Sequence, residues 1–241
     1  MMLIAHRGAS GSAPENTLAA FRKAIELGAD YVELDVCASR DRHIVVFHDD
    51  ALERTTDGRG LVCDQKLAQL KRLDAGSWFD PRFAREKIPT LYEVIRLVKP
   101  TQTGLFIEMK PGPHLDGAFE QALTRLLVRE EMTARSFVMS FNHAAVGRVK
   151  ELDPNLRGLL LAGRRTPLPT LLRAVQAHRA DGVSVKVSLV NESLVSAIHQ
   201  RGLRVVVWTA NSPRQMRRLV RLGVDGITTD FPERLAPVQA R

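Results

Sequence analysis

The residues of this chain best suited to chemistry sit in short clusters that close apolar runs. Glu33 and Asp35 lie two apart in the run 31–36, so on a strand both side chains leave the same face. Glu108 ends a second run, 104–109, and Lys110 follows it. Three carboxylates without a thiolate form a set of hard oxygen donors, suited to Mg²⁺, Ca²⁺ or Mn²⁺ rather than zinc. On these residues alone, the alternative in which Glu33 and Asp35 merely pair with Arg7 and Lys110 stays open. His6 and His48 each close a run beside the acidic residues. Two histidines at one rim fit a general base and a general acid, because imidazole titrates near neutrality. Arg7 offers a planar fork that can hold a phosphate through two hydrogen bonds, and Lys110 a point charge. With a divalent ion they would clamp a phosphodiester anion. Trp208 supplies either an apolar wall or packing at the top of the fold. The other histidines, His43, His114, His143, His178 and His199, fall in loops or helical segments and read as surface or structural. No serine, cysteine or threonine stands out among the strand-end residues, so no covalent enzyme intermediate is expected.

Bringing these groups to one rim requires strands that end on the same side. Eight runs, 2–6, 31–36, 104–109, 136–140, 157–161, 182–187, 203–208 and 225–229, alternate with amphipathic segments. Leu18, Phe21 and Ile25 have helical spacing, as do Leu168, Leu171, Leu172 and Val175. Gly28, Gly202 and Gly223 each stand between a helix and the next strand, the place of a left-handed residue just past a helix end. The pattern predicts a TIM (β/α)8 barrel, whose active sites lie at the C-terminal ends of the strands.

The apolar run 44–47 does not fit this count. Only about seven residues separate it from the second strand, fewer than a parallel crossover needs. Residues 37–48 therefore read as a hairpin, and 49–88 as a small insertion after the second strand. The insertion carries the turn signals Asp57-Gly58, Arg59-Gly60 and Ala75-Gly76 and the aromatic pair Trp78-Phe79. It is expected to govern substrate choice more than chemistry, as a lid or binding surface. Pro89 is expected at the first position of a helix through Leu91, Val94 and Ile95. No break marks a second unit, so 1–241 reads as a single domain.

Composition agrees. The 241 residues suit one barrel of roughly 250. No apolar run reaches the ~18 residues of a membrane span, so no stable membrane insertion is expected. The N-terminus lacks the basic and apolar regions of a signal peptide. Cys37 and Cys63 form no C-x-x-C pair, so neither a disulfide framework nor a zinc site is suggested, and a reducing cytoplasm is favoured. The net charge of +8 raises the possibility of nucleic-acid binding. The basic residues are spread along the chain, however, with only short clusters such as Arg214, Arg217, Arg218 and Arg221 and no aromatic platform beside them. A small anionic substrate, drawn in by the basic field, is the expected partner.

With these residues assembled, the chain resembles the glycerophosphodiester phosphodiesterases, within the barrel phosphodiesterases that include phosphatidylinositol-specific phospholipase C. The matching motifs are His6-Arg7-Gly8, Pro14-Glu15-Asn16-Thr17, Glu33-Leu34-Asp35-Val36, Val45-Val46-Phe47-His48-Asp49, Leu52 with Arg54-Thr55-Thr56, Ile88-Pro89-Thr90-Leu91, Glu108-Met109-Lys110 and Trp208-Thr209-Ala210-Asn211. They run in order over almost the whole sequence. The resemblance implies metal ligation by Glu33, Asp35 and Glu108, acid–base roles for His6 and His48, and phosphate contacts from Arg7 and Lys110. It makes Glu15 and Asn16 site-supporting residues at the start of the first helix, although Asn16 is also a reasonable cap for that helix. Where the family often has a Lys-Asp-Gly turn, this chain has Arg40-Asp41-Arg42-His43. The absence of a signal peptide is similar to the shorter cytoplasmic members.

The expected reaction is metal-dependent hydrolysis of a glycerophosphodiester to sn-glycerol 3-phosphate and an alcohol. By analogy His6 is the base and His48 the acid. The rivals are a lysophospholipase D of the same architecture, a non-catalytic anion-binding barrel, and a nucleic-acid-binding module.

Overall fold

The computed structural model describes residues 1–235; positions 236–241 of the proposed 1–241 unit lie outside the described residues. The strands are β1 (Met2–Ala5), β2 (Tyr31–Ala38), β3 (Ile44–Val46), β4 (Gly104–Met109), β5 (Ser136–Ser140), β6 (Arg157–Ala162), β7 (Gly182–Lys186), β8 (Arg204–Trp208) and β9 (Gly226–Thr229). The helices are α1 (Leu18–Glu26), α2 (Leu67–Leu70), α3 (Leu91–Val98), α4 (Ala118–Arg129), α5 (His143–Leu152), α6 (Leu168–Ala177), α7 (Glu192–His199) and α8 (Pro213–Leu222). Eight strands are parallel and follow one another around a closed ring, β1 pairing with both β2 and β9. This is the TIM barrel that the alternating runs predict.

β3 is the extra strand. It runs antiparallel to β2, with Val36 opposite Val46 and Ala38 opposite Ile44. The run 44–47 thus belongs to a hairpin, as the short spacing required. Arg42, at φ 67°, takes the left-handed position of the turn that a glycine would occupy at less cost.

The pleat sorts side chains. On β2, Val32, Leu34 and Val36 face the helices within the main core, whereas Tyr31, Glu33 and Asp35 take the other face. On β4, Ile107 joins the helix side and Phe106 the barrel interior. Phe106 stacks on Phe137 at 4.4 Å, with Tyr31 edge-on to both, and fills the interior below the carboxylates. Because Asp35 and Glu108 are register partners, the parallel pairing sets them side by side above that aromatic floor.

One local alternative drops out and one expectation changes. The N-cap of α1 is Thr17, whose hydroxyl accepts from the Ala20 N–H, and Asn16 stands just before it with φ 57°. Asn16 is free for other bonds. Pro89 precedes α3 rather than opening it. Thr90 caps that helix in a reciprocal box with Glu93, while the Pro89 carbonyl accepts from Val46 N–H and extends the hairpin's pairing. Gly28, Gly202 and Gly223 have φ of 74°, 69° and 72°, as their places at helix ends require.

Between β3 and α3 the chain makes short 3-10 turns and α2. It packs a small cluster of its own, with Leu52, Val62, Leu70 and Ile88 buried against Cys37, Val45 and Phe47. Cys37 is buried and Cys63 exposed, and neither is in a disulfide.

Candidate active site

Strand β1 delivers the first cluster. Its hydrogen bonding ends as His6 N–H donates to the Thr229 carbonyl, and the chain then turns sharply. Arg7 takes φ 53° and Gly8 φ 82°. A β-carbon at Gly8 would lie 2.6 Å from the Ala20 backbone, so only glycine lets α1 lie this close. The turn aims the Arg7 N–H at Glu33 Oε2, 2.9 Å away. Its guanidinium reaches Glu15 Oε1 at 2.7 Å through Nη1 and lies 3.2 Å from Asp35 Oδ2 through Nε.

Glu33, Asp35 and Glu108 converge at the C-terminal rim, and one oxygen from each falls within 4.8 Å of the others. All three are buried. Asn16, carried by its left-handed backbone, donates from Nδ2 to Asp35 Oδ2 at 2.9 Å. Lys110 donates to Glu108 Oε1 at 2.8 Å and lies 3.5 Å from Asp35 Oδ1. The ion-pair alternative is therefore present in part: Arg7 and Lys110 do face these carboxylates.

Two cations do not balance the group. Burial, and then the charge of Asp35, push Glu33 up to about 8, and the same causes raise Glu108. Asp35, although burial opposes it, is held below the usual carboxylate range by Arg7 and Lys110. Asp35 Oδ1 is buried and accepts no hydrogen bond. Three buried carboxylates, two of which resist ionising, with an orphaned oxygen among them, could hold a hard divalent cation.

The histidines flank this group. His6 Nδ1 is 2.6 Å from Asp230 Oδ1, and its Nε2 is 4.0 Å from Glu33 Oε2. Burial lowers the His6 pKa, but the Asp230 hydrogen bond and the Glu33 charge outweigh it, and the net shift is upward. His48 Nδ1 is 2.5 Å from Asp49 Oδ1. Burial, with Arg7 and Lys110 nearby, lowers its pKa despite the attraction of Asp35. In both cases a carboxylate holds Nδ1 and leaves Nε2 for other work.

Four further residues complete the arrangement. Asp230 accepts from Ser10 Oγ at 3.1 Å and from Asn211 Nδ2, while Asn211 Oδ1 accepts from Asp230 N–H at 2.9 Å. Arg54, in the insertion, bonds both Asp49 and Glu15, reaching Glu15 with two nitrogens at 2.8 Å. The insertion thus enters the network behind His48. Asp230 directly follows the run 225–229, and the strand-end rule that selects His6 and Lys110 selects it equally. Trp208 reaches the same rim on another side. Its indole N–H donates to the Ser184 carbonyl at 3.1 Å, and its ring stands edge-on to Phe141 at 5.8 Å.

Residues 6–234 match the model of the glycerophosphoryl diester phosphodiesterase family. A glycerophosphodiester phosphodiesterase of Caldanaerobacter subterraneus subsp. tengcongensis is 40% identical over 236 residues, covering 97% of this chain and 96% of that protein. Among solved structures, an Oleispira antarctica phosphodiesterase in complex with the product sn-glycerol-3-phosphate superposes with a TM-score of 0.93 at 34% identity, over 99% of this chain and 96% of that one. A glycerophosphodiester phosphodiesterase of Agrobacterium tumefaciens gives 0.83 at 30% identity, over 97% and 98%. This chain belongs to the glycerophosphoryl diester phosphodiesterase family.

Proposed function

We propose that this chain hydrolyses glycerophosphodiesters to sn-glycerol 3-phosphate and a free alcohol. The observation that carries the reading is the pair of carboxylate-held histidines on either side of three buried carboxylates. Glu33, Asp35 and Glu108 would hold a divalent cation, Mg²⁺, Ca²⁺ or Mn²⁺, whose charge when bound helps to neutralise the phosphoryl oxygens and orient the glycerol hydroxyls. Arg7 and Lys110 bind the phosphate anion and stabilise the charge that builds on it. His6, made more basic by Asp230, takes the proton from the attacking nucleophile, a water or the glycerol 2-hydroxyl. His48, which holds its proton less tightly, gives one to the departing alkoxide. Glu15 and Asn16 keep Arg7 and Asp35 in place, and Trp208 forms an apolar wall on the substrate's path.

We place the whole chain, 1–241, in one barrel domain, with 49–88 as an insertion covering the His48 side of the rim. Exposed Trp78 there bears on substrate choice. The relatives' names favour the glycerophosphodiester reading over the lysophospholipase D alternative. Among the described residues, no helix is long and apolar enough to cross a membrane. The unpaired Cys37 and Cys63 accord with the cytoplasmic location proposed for the enzyme, and its partner is a small-molecule substrate rather than nucleic acid. A coupled assay for glycerol 3-phosphate release over a panel of glycerophosphodiesters tests the proposal. Release from at least one diester, lost on adding EDTA, is the expected result, and no release from any of them would refute it.

A further inference from the structure

The charge of this protein is divided unevenly. Residues 1–162 contain 22 basic and 22 acidic side chains, so the entire net charge of +8 falls on the last third of the sequence. The first part pairs many of its charges, as in Arg7–Glu15, Arg42–Asp116, Lys71–Glu93 and Arg148–Glu120. Beyond position 163, none of the described arginines and lysines forms an ion pair. Unpaired cations concentrated in one sector of a barrel make a directed positive field rather than a neutralised surface.

Part of this sector meets the substrate face. Two cavities, of about 580 and 720 Å³, lie at the C-terminal ends of β5 to β8. Both are lined by Ala162, Arg164, Thr166 and Leu171, so they join into one trough. Each is within the size range of small-molecule sites, about 300–1,000 Å³. The inner end is formed by Trp208, Phe141 and Lys186, and Lys186 is the register partner of Trp208 on the neighbouring strand. The outer end carries Arg165, Ser188, Asn191 and Arg218. Gly163 keeps the inner end open: a β-carbon there would lie 3.1 Å from the Phe141 ring and 3.4 Å from the Trp208 ring. Arg164, Arg165 and Lys186 are all exposed, with their charges free to meet a ligand.

We propose that this trough is the subsite for the leaving alcohol, and that it selects alcohols bearing their own negative charge, above all a second phosphodiester, over cationic ones. The inference rests on the phosphodiesterase reading above. Guanidinium forks suit a second phosphate, an ammonium alcohol is repelled by the same groups, and the aromatic pair at the inner end suits the carbon skeleton between the two phosphates.

The test compares kcat/KM for three diesters: glycerophosphocholine, glycerophosphoglycerol and bis(glycerophospho)glycerol, which carries two phosphodiesters. The doubly anionic compound should be preferred over glycerophosphocholine by about tenfold or more, as expected for a few exposed charge contacts of modest strength. The preference should reside mainly in KM and shrink as salt is raised. Arg164→Glu/Arg165→Glu/Lys186→Glu should abolish it, and Arg164→Lys/Arg165→Lys/Lys186→Arg should retain it. Equal kcat/KM for all three compounds in the wild type, or an equal loss on all three in the charge-reversed variant, would overturn the inference while leaving the phosphodiesterase reading intact. Should no diester be hydrolysed, that reading fails, and calorimetry decides the trough separately. Binding of bis(glycerophospho)glycerol by the wild type but not by the charge-reversed protein upholds it, and equal binding refutes it. Salt-sensitive binding of duplex DNA lost in the same variant would assign the sector to nucleic acid and also refute it.

Discussion

His6 and Asp230 stand 224 positions apart in the sequence, and their side chains meet at 2.6 Å across the seam where β9 closes on β1. With Asp230 on Nδ1, the imidazole directs Nε2 toward the acidic group. Asp230 is itself fixed by Ser10 and Asn211, so the ring is held from two loops that only barrel closure brings together. Because Asp230 raises the His6 pKa, Asp230→Asn should shift the His6 limb of the kcat/KM–pH profile to lower pH. The His48 limb should stay where it is. Profiles of the metal-saturated enzyme measure this, and a limb unmoved by the substitution would separate Asp230 from His6 titration.

Removal of either ring tests the acid–base pair. His6→Ala and His48→Ala should each lower kcat by roughly 10²–10⁴-fold, the usual worth of a general acid or base. Thermal unfolding should change little, since both side chains are only partly buried. Near wild-type turnover in either variant would make that histidine structural.

Arg54 joins Asp49, behind His48, to Glu15, behind Arg7. Arg54→Ala should lower kcat by about tenfold with a smaller change in KM, through loss of positioning rather than of a reacting group. Arg54→Lys should recover only part of this, since a single ammonium cannot bridge two carboxylates as the guanidinium does. Steady-state kinetics of the two variants, compared at equal folded fraction by circular dichroism, give the answer.

Cation binding should be visible without any assay of activity. Glu33 is pushed from its ordinary 4.5 up to about 8, so without a cation the folded protein keeps a proton that the unfolded chain releases near 4.5. That contribution to stability is lost as pH rises from about 4.5 to about 8. Asp35, held low by Arg7 and Lys110, acts in the opposite sense and only at acid pH. A divalent cation competes with the proton on Glu33, so it should bind more tightly at pH 8.5 than at pH 6. At a concentration of 100 Kd it should add about 2.7 kcal/mol, or roughly 5–10 °C in Tm for a chain of this size. Differential scanning fluorimetry with Mg²⁺, Ca²⁺ or Mn²⁺ at both pH values, with Asp35→Asn as control, provides the test. No shift with any of the three ions would remove the metal from the proposal.

The glycerol 2-hydroxyl should matter to rate as well as to binding. A 2-deoxy glycerophosphodiester is expected to turn over much more slowly while still competing as a weak inhibitor, because the hydroxyl orients the substrate whether water or the hydroxyl itself attacks the phosphorus. Phosphorus NMR during turnover separates the routes, since a cyclic glycerophosphate accumulates transiently only when that hydroxyl attacks. Equal hydrolysis of the deoxy and natural diesters would make the enzyme a more general phosphodiesterase.

The sequence alone determined the barrel and most of the rim. Strand identity depends on local alternation and on glycines past helix ends, so the eight barrel strands were legible from neighbouring residues. The same period-two rule set Glu33 and Asp35 on one face. Tertiary structure decided what depends on which strands become neighbours. Parallel pairing of β2 with β4 put Glu108 beside Asp35, and ring closure put Asp230 on His6. Packing of α1 against the Gly8 turn left the cap to Thr17 and turned Asn16 onto Asp35. The Pro89 carbonyl is taken up by Val46 N–H, and α3 is capped by Thr90 and starts at Leu91. Hydrogen bonds and charges of this kind act over a few ångströms in space, and the order of residues along a chain carries no distance between 6 and 230 until the sheet has closed.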